Sequence, residues 1–182
     1  MEETKLLGVV VSSNLSWHSN TEYIAKRCNN KLWVLRRLKK LGASHSDLLD
    51  VFYKQVRSIA EFGVPVWNSA LTGIDIAKLE RIQKTALHII LGENYRSYSS
   101  ALKTLGVKKL SERRKQLCLK FAIKAEKHPK FSKWFKPNKR KTVTRRLQPK
   151  YCEVFVKKNG FKKSSICYMT KILNNLHKKL KQ

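Results

Sequence analysis

A chain of 182 residues has room for one domain, or one domain with an extension, and its 42% hydrophobic content is enough for a core in the first two thirds. Its 40 Lys+Arg against 12 Asp+Glu give a formal net charge of +28, which strains a compact state by self-repulsion and calls for a polyanionic partner. No apolar run reaches membrane-span length, the acidic start MEETK lacks a signal-peptide pattern, and the four cysteines show no C-x-x-C pair. These features exclude a membrane-spanning segment and a disulfide scaffold from the reading. The expectation is a soluble intracellular protein with reduced thiols.

The charge is uneven. Residues 1–92 carry 13 Lys+Arg against 8 Asp+Glu, whereas residues 93–182 carry 27 against 4. The first half reads as a folded module and the second as a face for nucleic acid.

In chain order, KLLGVVVS (5–12) alternates like a β-strand rich in branched residues. Ser12 to Asn14 is turn chemistry, and Leu15 and Trp17 read as a second short strand or an anchor. A lone hairpin is marginal, so this strand needs a helix beneath it or a sheet outside the chain. Residues 20–41 predict a helix capped by Asn20 or Thr21, with Ile24, Cys28, Leu32, Leu35 and Leu38 buried and Gly42 as its stop. Lys26, Arg27, Lys31, Arg36, Arg37, Lys39 and Lys40 fill its other faces.

Ser44 or Ser46 caps a helix running to about Phe62, with Val51, Phe52, Val56 and Ile59 on one face. Gly63 and Pro65 break it, and Trp67 plugs the following corner. Ile76, Leu79, Ile82, Ala86, Leu87 and Ile90 form a wide apolar stripe on the next helix, which Asp75 caps and Gly92 ends. The stretch 51–92 is therefore the expected core.

A short helix over 99–105 ends at Gly106. Another runs from Ser111 to about Lys127, with Leu110, Leu117, Phe121 and Ala125 apolar, and His128-Pro129 closes it. Residues 130–150 read as an extended basic linker. Tyr151 to Val156 alternates like a strand before the Asn159-Gly160 turn signal, and a last helix is expected at about 168–180. The fold class is mainly α: five to six helices, a short N-terminal strand or hairpin, and a C-terminal hairpin. The expected segments are 1–18 as strand or hairpin, 19–128 as the helical domain and 129–182 as a basic extension.

Catalytic chemistry is hard to place. Two-metal phosphoryl transfer needs clustered carboxylates, and the nearest pair, Asp47 and Asp50, sits in a helix first turn where acids are favoured anyway. No Y-x-D-D and no G-x-x-x-x-G-K-[ST] occurs. The five histidines are scattered, and His88 reads as a half-buried packing residue. No cofactor and no metal site is expected.

What remains is binding. Three basic clusters stand out: Arg36-Arg37 with Lys39-Lys40; Lys108-Lys109 with Arg113-Arg114-Lys115; and Lys139-Arg140-Lys141 with Arg145-Arg146. Trp33, Tyr98 and Trp134 lie near them, and aromatics can stack on unpaired bases. Trp33 and Trp67 are expected in the core, while Trp134 stays open between core and stacking. The third cluster also resembles a nuclear-localisation patch.

The order of short motifs resembles one family. KLLGVVVSSNLSW is similar to the K-x-L-G-V…L-x-W segment that follows the palm in non-LTR (LINE-type) retrotransposon reverse transcriptases. YKQVRSIAEFGVPVW resembles the segment that ends E/Y-G-x-x-V-W, and KLERIQKTALHIILG the L-E-x-I-Q-x-x-A-x-x-I-I-x-G helix. LSERRKQLCLKFAIKAEKHP and FKKSSICYMTKILN resemble the closing R-R-x-x-L-x-x-F-x-x-K and S-x-I…L-N segments. The resemblance implies the thumb and C-terminal region of such an enzyme, which grips the template–primer duplex. The palm and fingers, with the metal-binding aspartates, are not in this sequence. The expected partner is RNA or an RNA–DNA duplex, held by its backbone, together with the palm and fingers of a parent enzyme. The expected chain has no polymerase centre of its own. The competing reading is a non-enzymatic basic module for anionic membranes or acidic proteins.

Overall fold

A computed structural model describes residues 2–138, 149–153 and 163–180. The described residues are mainly helical, with one two-stranded antiparallel sheet. They divide into two units: Met1–Gly63 with Leu71–Arg114, and Val64–Ala70 with Lys115–Gln182. The N-terminal strands belong to the first unit.

In that unit, the strand signal of residues 5–12 resolves into a hairpin. β1 (Glu3–Leu6) pairs with β2 (Val9–Ser12), Leu6 opposite Val9. Leu7 (φ 47°) and Gly8 (φ 86°) make the two-residue turn, both left-handed, which suits the twist of the flanking strands. A side chain at Gly8 would sit 3.2 Å from the Phe62 ring. The support is a helix beneath: β2 lies against α1 (His18–Lys40).

Asn20, expected as the cap of α1, is instead buried, and its Oδ1 accepts the Val10 N–H at 3.0 Å. The helix starts two residues earlier, after Trp17 and without a side-chain cap. Leu15 (φ 56°) is 69% exposed and forms no strand. Ile24, Cys28, Leu32 and Leu35 are buried as the spacing predicts, whereas Leu38 is half-buried. Burial pushes the Cys28 thiol up to about 12, so it stays protonated.

Ser44 caps α2 (His45–Val51), accepting the Asp47 N–H. What the pattern reads as one helix then winds as a π-helix over Phe52–Arg57 before α3 (Ser58–Glu61). Gly63, at φ 64°, ends the run.

α5 (Gly73–Leu91) is the central element of this unit. Leu79, Ile82, Ala86, Leu87 and Ile90 are buried against α1, while Ile76 is 39% exposed. Its cap is Thr72, not Asp75. Thr72 accepts the Asp75 N–H, and the Asp75 carboxylate accepts the Thr72 N–H in return, a reciprocal capping box. Asp75 also takes a 2.9 Å bond from His18 Nδ1. Burial raises its pKa, but the bonds from Thr72 and His18 outweigh this and hold it below the usual carboxylate value.

A depressed carboxylate stabilises the fold above its unfolded pKa of about 3.9 and loses that contribution as pH falls through the lower, folded value. Thr72→Ala is expected to cost about 1 kcal/mol at pH 7. The loss should shrink as pH falls through the depressed folded pKa of Asp75. Urea melts of both proteins over a descending pH series from about pH 7 check this.

α6 (Tyr98–Thr104), capped by Ser97, packs on α5, and Gly106 (φ 63°) ends it. α7 (Leu110–Lys127) follows.

The second unit contains α4 (Val64–Trp67), the later part of α7, and α8 (Ser165–Lys179), which starts three residues before the expected 168. Trp67 is fully buried, and α4 packs on α8, with Ser165 Oγ donating to the Val66 carbonyl at 2.6 Å. The core here is Ala122, Ala125, Phe135, Tyr151, Met169 and Leu173. Asn174 holds Tyr151 by both backbone groups, at 2.9 and 3.0 Å, completing the bridge between Pro137 and Tyr151. The rest of the expected strand to Val156 and the Asn159-Gly160 turn lie outside the described residues.

Candidate nucleic-acid interface

α1 places its cations by simple periodicity. Ile24, Cys28, Leu32 and Leu35 face inward, so Lys26, Asn30, Trp33, Arg37 and Lys40 fall on the outer side in one stripe of alternating three- and four-residue steps. All five are exposed, and Arg27 and Arg36 flank them. From Tyr23 to Lys40 the helix carries no acid. Its one carboxylate, Glu22, is occupied by Lys78 and lies 3.6 Å from His18 Nε2. The stripe is roughly 21 Å long at 1.5 Å per residue.

Two aromatics are set into it. Trp33, expected in the core, is 59% exposed, and the Arg37 guanidinium lies 5.6 Å from its ring centre. Its position on α1, one residue past Leu32, turns it to water. Tyr23 sits between Lys5 at 4.8 Å and Arg27 at 5.6 Å. The hydrogen bond with Lys5, aided by both charges, holds the Tyr23 hydroxyl below its usual pKa. A phenol depressed in this way reports a positive local potential.

Other expected contacts are committed elsewhere. Lys39 Nζ donates to the Ile90 carbonyl at 3.0 Å, where a cation satisfies the C-terminal end of α5. Arg114 is 1% exposed, too buried to meet a phosphate. Arg113 Nε bonds both Glu61 oxygens, at 3.2 and 3.3 Å, and Arg57 Nε reaches the same carboxylate at 2.6 Å. Lys39, Arg113 and Arg114 are thus engaged within the fold. Lys31 is half-buried, while Lys108 and Lys109 in the first unit and Lys115 in the second are exposed. Lys139, Arg140, Lys141, Arg145 and Arg146 lie outside the described residues.

Asp47 accepts a hydrogen bond from the Ser44 hydroxyl at 2.6 Å and Asp50 pairs with Lys54 at 3.1 Å, so the nearest sequence pair of acids serves helix ends and surface. Among the described residues no three His, Cys, Asp or Glu side chains group as a metal site, and no helix is long and apolar enough to cross a membrane.

The Tyr98 hydroxyl is tied into a network. It donates to Glu80 and accepts from Gln83 Nε2 at 3.0 Å, and burial, then Glu80, pushes its pKa up. Glu80 also accepts the N–H groups of Leu110 (3.2 Å) and Ser111 (3.1 Å), capping α7 from α5. His88 is exposed and meets Tyr95 edge-on at 4.8 Å, so it is not half-buried. Trp134 is 36% exposed, in a short aromatic run with Phe131 and His128.

No family model, curated protein or solved structure matches this chain.

Proposed function

We propose that the chain is a nucleic-acid-binding part of a retrotransposon-type reverse transcriptase, a thumb-like element that holds RNA or an RNA–DNA duplex by its backbone without reading sequence. In this reading polymerisation belongs to a palm that supplies the metal-binding carboxylates. The observation that carries it is the outer face of α1, where exposed Lys26, Arg27, Arg36, Arg37 and Lys40 surround Trp33 with no acid among them. A stripe of free cations suits evenly spaced phosphates, and an exposed indole suits an unpaired base.

Several motifs of the family resemblance fall on the elements that build the first unit: KLLGVVVS on the hairpin, KLERIQKTALHIILG on α5. A salt titration tests the reading. With roughly six phosphate contacts, RNA affinity should fall about a thousandfold between 50 and 200 mM salt. A flat titration, or co-sedimentation with anionic liposomes that exceeds RNA binding at equal salt, removes it in favour of a membrane-facing module.

A further inference from the structure

A cleft of ≈540 Å³ opens on the first unit between α5 and the segment leading into α6. None of the lysines and arginines singled out in the sequence lies in it. Arg81, Lys84 and His88 follow one another at helical spacing on the exposed side of α5, and Tyr95 and Tyr98 make the other wall. Neither Arg81 nor Lys84 is in an ion pair among the described residues. Tyr95, held edge-on by His88, has its hydroxyl buried without a partner. The one carboxylate in the wall, Glu80, already accepts two backbone N–H groups and the Tyr98 O–H, so its oxygens are engaged within the fold.

We propose that this cleft binds a nucleotide, its base against Tyr95 and Tyr98 and its phosphate on Arg81 and Lys84. The volume falls within the range of small-ligand sites. An aromatic wall takes the π-face of any base, and two unpaired cations one turn apart suit a phosphate better than an uncharged group. The inference does not rest on the α1 reading, because it uses different residues and a different ligand.

Equilibrium dialysis of the full chain against AMP in low salt tests it, with ribose 5-phosphate and adenosine as controls. AMP is expected to bind at one equivalent and at least about tenfold tighter than either fragment, that is by about 1.4 kcal/mol or more. Arg81→Glu with Lys84→Glu should weaken AMP at least tenfold. Ala77→Trp, at an exposed lining position, should fill the cleft and do the same without changing the unfolding transition. Equal affinity for AMP and ribose 5-phosphate, or full AMP affinity in either variant, overturns the site. Displacement of AMP by a 5′-phosphorylated tetranucleotide at a lower concentration assigns the cleft to the end of a strand, and weaker displacement assigns it to the free nucleotide. A chain that takes up AMP but no RNA keeps this site and loses the α1 reading.

Discussion

Reversing three charges on the outer face of α1, with Lys26→Glu, Arg37→Glu and Lys40→Glu together, is expected to lower RNA affinity about 500-fold at 0.1 M salt. The figure follows from counterion release: each phosphate contact adds about 0.9 to the salt slope, so each is worth roughly eightfold at 0.1 M. The slope itself should drop by about 3. The side chains are exposed and make no ion pair among the described residues, so the melting temperature should move little. Trp33→Ala separates base from backbone. It should weaken single-stranded RNA by about 1–3 kcal/mol while leaving duplex binding and the slope in place. Filter binding across a salt series reads all of this. An unchanged slope in the triple variant would place the phosphates on another surface.

Glu80→Ala is expected to be the most damaging single change of a polar side chain in the first unit, costing about 2–4 kcal/mol. One carboxylate answers the first two N–H groups of α7 and the Tyr98 hydroxyl. Its removal orphans three donors, each costing about 1–3 kcal/mol if unmet and less where water enters. Gln83, which bonds both Tyr98 and the Lys108 carbonyl, then loses half its anchorage. Glu80→Gln keeps one acceptor oxygen and should recover about half the loss. Denaturant melts of the three proteins check the order. Hydrogen exchange should localise the loss to Tyr98, Leu110 and Ser111.

Elements driven by local periodicity were legible in the sequence. The inward positions of α1 and the stripe from Leu79 to Ile90 on α5 depend only on 3.6-residue spacing, and Gly42, Gly92 and Gly106 end helices where expected. Assignments that depend on a distant partner were not legible. Asn20 and Asp75 carry capping chemistry in any one-dimensional reading, yet one is claimed by β2 and the other serves as the third-position partner of Thr72. Lys39, Arg113 and Arg114 look like their neighbours along the chain. Only the approach of Ile90, the nearness of Glu61 and burial set them apart. Trp33 was misplaced because hydrophobicity outranked phase: one step past Leu32 is enough to face water. The cleft beside α5 was invisible because the same helix advertises its apolar stripe far more strongly than the Arg81–Lys84 pair behind it.

The π-helical stretch Phe52–Arg57 has a bearing on descent. A π turn holds one residue more than an α turn, and a single-codon insertion into an ordinary helix is the simplest event that creates one. Everything C-terminal to such an insertion rotates by about 100°. Here that rotation precedes Glu61, the carboxylate that Arg57 and Arg113 share. An ancestor without the added residue would have pointed this carboxylate elsewhere, so the clamp and the irregular turn should be gained or lost together among relatives.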